Sequence, residues 1–480
     1  MSLDCWKYPK QLFLCAALAL VAGAMASGVL IAQQLPTSVP GQSAGPTAGS
    51  FQGSVTVGQA DGQTLDLSLD EAIQRGVKNN LGAILSGTQT AAAKAQRLSQ
   101  LQPLLPDVEF NAREAEMQVD LAAQGLRIPG FPTIIGPFGY TDLRASLSWS
   151  LLDLHALRTY MAAKHQFRAA EYSAQDARDM IVMTVGNAYM LVLADQGRVS
   201  SFQAQVATAK VSLDQANASH EAGTAPRLDV LRAQVDYQSL QQQLIVAQNN
   251  LEKDKLALAR AIGLPLDQKY NLADQAPYAV FDQLDVEATI KQAHANRKDL
   301  AAMVEQTKAA EEQRKGATAD RFPTVTVDAD YGDIGVNVRH SHGTGNAQGT
   351  LSVPVFKEFA LRGEAEVAQS QLDTQKAQLS DLNAQVEADI RDALLDIEAA
   401  QKQVEVARSS VDLANEALSE AQQRYVNGVS DNLAVSQAEQ SVAQANDQYV
   451  TSLYRDNVAK LSLARALGAG QDYSKYLGGK

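Results

Sequence analysis

The sequence predicts a mostly helical α+β fold in which one unit, ordered helix, strand, strand, very long helix and return helix, occurs twice. Three observations predict it: an internal repeat, four short alternating segments and two long heptad runs. The repeat is clearest where LALARAIG at 256–263 returns as LSLARALG at 461–468, an offset of 205 that also separates Gly223 from Gly428. A period this long exceeds the roughly 20–50 residues of solenoid units, so each copy is a complete substructure. Such pseudo-symmetry favours assembly into a ring.

Composition and charge limit the class of protein. Of the 480 residues, 45% are apolar but only 6% are aromatic, a balance that favours long, closely packed helices over a thick globular core. Alanine is abundant, and its small side chain lets helices approach each other at little entropic cost. The formal net charge is −13, so we expect no nucleic-acid partner.

The N-terminus has the pattern of an export signal. Lys7 and Lys10 precede an apolar stretch at 12–31, and small residues allow cleavage after Ala26 or after Ala32. An uncleaved membrane anchor is the alternative, because about 20 apolar residues can cross a bilayer. Both cysteines lie in this segment, so a processed chain has no thiol. Residues 33–64, rich in Gly, Pro, Ser, Thr and Gln, predict a flexible leader.

Alternation of apolar and polar residues predicts four strands, two in each copy. In the first copy it covers 108–113 and 143–150, and in the second copy 325–331 and 348–353. Each segment has about ten residues, the length of a tilted strand that crosses a membrane. A half-exposed sheet in water fits the same alternation, so the strands alone do not decide between the two settings.

Heptad spacing predicts a very long helix after each pair of strands. The second of these helices starts near Leu361, and the first occupies about 153–221. At 1.5 Å per residue such a helix spans roughly 100 Å. Sustained heptads predict a left-handed antiparallel coiled coil with a returning helix, and glycines 223, 428, 263 and 468 predict the helix ends. The heptad seam of the second copy is Val386, Ile390, Ala393, Ile397, Ala400, Val404, Ala407, Val411, Ala414, Leu418, Ala421 and Tyr425.

A shorter helix opens each copy. In the first copy Ser68 and Glu71 have the spacing of a capping box, and we expect one helix from there to about Gln100, before Pro103. The first copy then continues into its strands.

With this architecture, the chain resembles the TolC-type outer-membrane factors of Gram-negative export systems. The resemblance covers nearly all of 65–470 and is carried by three motifs in the family's order: LSLDEAIQRGVKNN at 67–80, the hairpin AGTAPRLDVLRAQ at 222–234, and NRKDL at 296–300. It implies a homotrimer in which four strands from each chain close one 12-stranded β-barrel in the lipid of the outer membrane. The helices of the three chains would form a periplasmic α-barrel, with a periplasmic adaptor (membrane fusion) protein and an inner-membrane pump as partners.

The N-terminal patterns and the resemblance together give the limits of the domains. We expect a signal peptide at 1–26, a flexible leader at 27–64, a first TolC-like repeat at 65–268, a second at 284–470 and a C-terminal tail at 471–480.

The same resemblance places a periplasmic gate and an adaptor-docking site at the hairpin tips. Tyr425 matches the family's gate tyrosine and His220 occupies its place in the first copy, while Asp229 keeps an acid that the second copy replaces with Ala434. Gln437 replaces the family's second aspartate. Asp229 could instead cap a helix, and Tyr425 could simply end the heptad seam. The docking candidates are Gly223, Thr224, Leu228, Gly428, Val429 and Leu433.

No catalytic motif is present in the sequence. It has no HExxH, GxSxG or P-loop, so we expect no enzyme activity, no cofactor and no metal site. The leading hypothesis is a passive export duct of a tripartite efflux or type I secretion system. The alternative is a coiled-coil scaffold of the cell envelope without transport activity, and it has no need for strands that face lipid. The type of cargo stays open.

Overall fold

The described chain has two similar halves, each with four α-helices and a pair of long strands, and two short strands pair with each other beside them. The computed structural model describes residues 48–60, 62–123, 125–126, 128–274, 278–281, 284–427, 429–430 and 432–477. The signal peptide expected at 1–26 lies outside the described residues. In chain order the elements are β1 (Leu65–Leu67), α1 (Leu69–Asn79), α2 (Leu81–Leu101), β2 (Asp107–Asp120), β3 (Ile134–Leu152), α3 (Leu154–Glu221), α4 (Arg227–Ile262), β4 (Tyr270–Leu272), α5 (Val286–Asn296), α6 (Lys298–Ala319), β5 (Thr324–Gly335), β6 (Ser341–Ser352), α7 (Glu358–Val426) and α8 (Asn432–Ala466).

This order confirms that the protein is mostly helical, with 69% of the residues that the structure describes in helices. It differs from the expectation in the lengths of β2 and β3, which have 14 and 19 residues instead of about ten. It also differs in the opening helix of each half, which is broken in two. The first break is at Asn80, where an extended backbone ends α1. The side-chain oxygen of Asn80 then caps α2 by accepting a hydrogen bond from the Gly82 amide at 2.8 Å. The buried Asn80 amide also donates to the Phe51 carbonyl at 2.7 Å. The second break is at Arg297, between α5 and α6.

The capping box at the start of α1 is only half formed. Ser68 accepts a hydrogen bond from the Glu71 amide at 3.3 Å, as expected. The Glu71 side chain, however, accepts two hydrogen bonds from Arg75 one turn later, the shorter at 2.8 Å. An ion pair within the helix therefore replaces the return contact to the cap.

The four long strands form one antiparallel sheet in the order β2-β3-β5-β6. Strands β3 and β5, from the two different halves, pair in the centre, while β2 and β6 are the edges. A second, parallel pair of three-residue strands joins β1 to β4. The sequence did not predict that pair, because three residues are too few to show alternation.

The predicted heptad seam packs α7 against α8. Along α7 the seam is buried from Val386 to Ala407 and half-buried nearer the tip, at Val411 and Leu418. In the first half, α3 buries Val182, Val185 and Tyr189 in the main core. Helix α3 also contains an 18-residue window with a mean hydropathy of 1.2, but 61% of it is buried, as expected of a core helix.

Polar contacts organise the core near the level of the short β1–β4 pair. Within the first half and the segment that follows it, the hydroxyl of Tyr189 lies 3.0 Å from the Leu67 carbonyl and 2.8 Å from the Asp274 carboxylate, which share its one proton. On the other side of α3, Arg465 of the second half contacts Asp176 at 2.5 Å. These contacts fix the base from which both helical hairpins extend.

The buried seam predicts that truncating an isoleucine within it costs far more stability than truncating an exposed isoleucine elsewhere. Ile390 is fully buried against Leu463 and Leu467, whereas Ile245 on α4 is 65% exposed. We expect Ile390→Ala to lower the free energy of unfolding by about 2–5 kcal/mol, because it leaves a cavity. The matched change Ile245→Ala should cost less than about 0.5 kcal/mol. Denaturant titration of both variants measures the difference, and equal losses would contradict a core at this seam.

Candidate functional site

One face of the four-stranded sheet is apolar across all four strands. The register places Phe110 opposite Ala145, Ala145 opposite Tyr331, and Tyr331 opposite Gly345. Phe110 and Tyr331 are 72% and 71% exposed, so the rest of the chain does not cover this face. Its apolar members are Val108, Phe110, Ala112, Leu143, Ala145, Leu147, Trp149, Val327, Ala329, Tyr331 and Leu351, and the register adds two acids to this face, Asp333 opposite Leu143 and Glu114 opposite Thr141.

The opposite face is polar and held by ion pairs. Arg144 lies between two carboxylates, with its Nε 2.9 Å from Asp142 and its Nη1 2.9 Å from Asp330. Ser148 donates a hydrogen bond to Asp328 at 2.8 Å. Its polar members include Glu109, Asn111, Arg113, Asp142, Arg144, Ser146, Ser148, Asp328, Asp330, Asn346 and Gln348, and Ile334 opposite Asp142 is an apolar member. The sheet therefore separates an apolar surface from a charged one.

The two edges of this sheet are open within the single chain. Strand β2 pairs only with β3, and β6 pairs only with β5, among the described residues. Each edge thus presents a row of backbone groups that can pair with another strand. One chain cannot close the sheet.

The tip of the first helical hairpin is a glycine turn capped by its own side chains. Gly223 has φ +74°, the left-handed conformation expected from its position. Thr224 donates its hydroxyl to the Ser219 carbonyl at 2.9 Å. The ring Nδ1 of His220 lies 3.0 Å from the Ala225 carbonyl, to which it can donate. The structure thus engages His220, a gate candidate, within its own turn.

The two other gate candidates approach each other across the two hairpins. Asp229 is buried in the first turn of α4, and Arg232 lies 3.9 Å from its carboxylate. Tyr425 is half-buried at the end of α7. Burial, and then the charge of Asp229, raise the pKa of the Tyr425 hydroxyl. Among the described residues, that hydroxyl has no hydrogen-bond partner.

The docking candidates that the structure describes form exposed tips. Leu228, Val429 and Leu433 are all exposed, as is Thr224. Gly428 lies outside the described residues. Val426 is also exposed next to them but lies off the heptad seam, so the seam did not indicate it. Each hairpin therefore ends in an apolar, solvent-facing surface.

Comparison with known proteins agrees with this geometry. The outer membrane efflux protein family matches residues 88–264 and 289–469. The chain belongs to this family. It is accordingly an outer-membrane efflux channel protein that reaches into the periplasm, and the family consists of channel proteins rather than enzymes.

Individual relatives are distant but nearly full-length. The chain is 23% identical over 426 residues to the probable efflux pump outer membrane protein TtgC of Pseudomonas putida, with 84% of each chain covered. Among solved structures, the outer membrane protein VceC of Vibrio cholerae has a TM-score of 0.74 at 21% identity, over 83% of this chain and 96% of that one. The Campylobacter jejuni CmeC outer membrane channel has a TM-score of 0.76 at 17% identity, over 92% and 98%.

The tip turn can be tested at Gly223. A Cβ atom there would meet nothing within 4 Å, so a side chain is opposed by the backbone conformation alone. We expect Gly223→Ala to destabilise the turn by about 1–2 kcal/mol and Gly223→Asn to cost less, because asparagine tolerates this conformation. Hydrogen exchange of the amides at 222–225 measures the opening of the turn. Equal effects of the two variants would contradict a turn that depends on its left-handed residue.

Proposed function

We propose that three copies of this chain form a passive export duct that crosses the outer membrane and the periplasm. The observation that carries the proposal is the sheet, which has one apolar face, one charged face and two open edges. In lipid every backbone polar group must be paired within protein, so an open sheet cannot cross alone. Three sheets joined edge to edge would give 12 strands, with the apolar face toward lipid and the charged face toward a water-filled lumen.

A second apolar stripe on α7 supports contact with another copy. Leu395, Val406 and Leu413 are exposed and lie on the side of α7 away from the buried seam at Ile397 and Val404. Their spacings of 11 and 7 residues keep them on one face of the helix. An exposed apolar stripe of this length is typical of a surface that a partner covers. In the proposed trimer a neighbouring subunit covers it and completes the α-barrel.

The hairpin tips support docking of a periplasmic adaptor. Outer membrane efflux proteins work as trimers with an adaptor and an inner-membrane pump. In this chain we assign docking to the apolar tips, through Thr224, Leu228, Val429 and Leu433 together with glycines 223 and 428. The pump supplies the energy, because the duct has no motif for using any.

We place the gate of the duct where the two hairpins meet. Asp229 and Tyr425 are close enough to interact electrostatically, and three copies of this contact would surround the axis of a trimer. Ala434 and Gln437 supply no charge in the second hairpin, so the closure would depend on the first. The assignment of His220 to the gate is weaker, because its ring already caps the turn.

The expected domain limits complete the proposal. The repeats at 65–268 and 284–470 form the duct, after a signal peptide at 1–26 and a leader at 27–64, and before the tail at 471–480. A scaffold without transport explains the hairpins, but it gives no reason for an exposed sheet with one apolar face.

The apolar stripe on α7 predicts an oligomer-breaking variant. Leu413 is 64% exposed in the single chain, so Leu413→Glu should leave the fold of the chain intact. In the trimer it would bury an unpaired charge, which is strongly unfavourable. We expect light scattering in detergent to show three chains for the wild type and mostly single chains for the variant. Asn415→Glu adds the same charge on a different side of α7 and should remain trimeric. A trimer that tolerates Leu413→Glu would contradict this interface.

Two substitutions test the gate, one that removes an acid from the first hairpin and one that adds an acid to the second. We expect Asp229→Asn to raise the conductance of the reconstituted channel, because the charged contact between hairpins is lost. Ala434→Asp places an acid at the matching position of the second hairpin and should lower the conductance. Planar-bilayer recordings measure both. Unchanged conductance together with unchanged antibiotic sensitivity of cells carrying Asp229→Asn would remove Asp229 from the gate.

A further inference from the structure

A buried carboxyl group on α3 lacks a donor for one of its oxygens. Asp195 is only 4% exposed, and its Oδ1 accepts a hydrogen bond from Arg198 at 3.0 Å. Its Oδ2 is buried and has no donor among the described residues. A buried oxygen left in this way is costly unless something else satisfies it.

The group that faces this oxygen is a second carboxyl. Asp195 and Asp254 are equidistant from the tip of the first hairpin, so the antiparallel helices α3 and α4 place them at the same level. The Asp254 carboxyl lies within hydrogen-bonding reach of Asp195. Two carboxyl oxygens can be hydrogen-bonded to each other only when one of them carries a proton.

The surroundings do not supply enough positive charge to keep both groups ionised. Arg198 is the nearest cation, and it is shared, because its Nε lies 2.9 Å from Asp447 on α8. Its Nη2 donates to Thr451 at 2.9 Å. The polar groups that face the pair are Arg198 from α3 and, from α8, Asp447, Thr451 and Tyr454.

A cavity gives Asp195 access to solvent protons. It has a volume of about 520 Å³ and is lined by Asp195, Arg198, Asn250 and Asp447, among others. The proton can therefore exchange without unfolding of the hairpin.

The second hairpin shows that the fold does not require acids here. At the repeat offset of 205, Asp195 corresponds to Ala400 and Asp254 to Ala459. Both alanines are buried between α7 and α8. The acid pair is therefore specific to the first hairpin, and the second hairpin is an internal control.

We infer that Asp195 and Asp254 bind one proton between them, and that this shared proton holds α3 to α4 in the first hairpin. Burial, and then the hydrogen bond with Asp254, raise the pKa of Asp195 to about 6. Because the pKa of Asp195 in the folded protein lies above the ordinary value of 3.8, the shared proton stabilises the hairpin fully below about pH 3.8. This stabilisation is lost as the pH rises through about 6. The first hairpin then loosens at this level while the second does not.

Infrared spectroscopy tests for the proton itself. In the wild-type protein we expect a protonated-carboxyl signal with a midpoint near pH 6, and Asp195→Asn should remove the part of it that belongs to Asp195. Burial also raises the pKa of Asp179 to about 6, so its signal should remain in the variant as a reference. The asparagine amide can donate to Asp254 at every pH, so this variant should fold. Asp214→Asn, an exposed acid on the same helix that pairs with Lys210, should keep the whole signal. An infrared signal that Asp195→Asn leaves unchanged would overturn the proposal.

Hydrogen exchange tests the consequence for the hairpin. The pKa of Asp195 is about 6 in the folded hairpin and is taken as the ordinary 3.8 in the locally opened one. Linkage then predicts that the equilibrium constant for local opening near 195 and 254 rises about tenfold between about pH 5 and pH 8. The measured rates are first corrected for the intrinsic pH dependence of amide exchange. Amides near 400 and 459 should show no such rise, and Asp195→Asn should abolish it. A rise that is equal in both hairpins would overturn the proposal.

The same experiment separates a proton from a metal ion. Added Ca²⁺ or Mg²⁺ could restore protection from exchange near 195 and 254 at about pH 8, and a chelator could remove it again. In that case the pair holds a cation, and the proposal of a shared proton is wrong. None of these readouts depends on transport, so a failure here leaves the proposed duct untouched.

Discussion

The pairing of backbone hydrogen-bonding groups is the constraint on which the rest of the architecture depends. The sheet has one apolar face, so it can lie against lipid, yet β2 and β6 leave their outer backbone groups unpaired within the chain. Lipid supplies no partner for those groups, and the edges must meet strands of other copies. Duplication suits this requirement, because each half contributes a strand pair and a helical hairpin, and copies of such a unit can be arranged in a ring.

Duplication also lets the two hairpins acquire different chemistry on one frame. The heptad seam and the glycine ends are alike in both, because packing demands them. The charged groups differ between the two hairpins, because Asp195 and Asp254 correspond to alanines and Asp229 corresponds to Ala434. In the proposed duct the first hairpin therefore carries these acid contacts, whereas the second buries a different polar pair, Asp456 with Lys460 on α8. An asymmetry of this kind allows one hairpin to respond to pH or to charge while the other holds the wall.

The regular parts of the fold followed from the sequence, and the irregular parts did not. The seam of α7 and the four long strands have strong periods, so their prediction needed no tertiary information. The break at Asn80 was missed because it depends on contacts of that side chain with Phe51, far along the chain. For the site, the sequence placed Asp229 and Tyr425 at hairpin tips, but their approach depends on how two hairpins pack. The Asp195–Asp254 pair had no motif and emerged only from the alignment of two helices.

Hydrogen exchange of the strand amides in the detergent-purified assembly tests the central claim most directly. If the sheets of separate copies join edge to edge, the amides of β2 and β6 should be as well protected as those of the central strands β3 and β5. If the outward-pointing amides of β2 and β6 exchange rapidly while β3 and β5 stay protected, the sheet is open and encloses no passage, and the account is wrong.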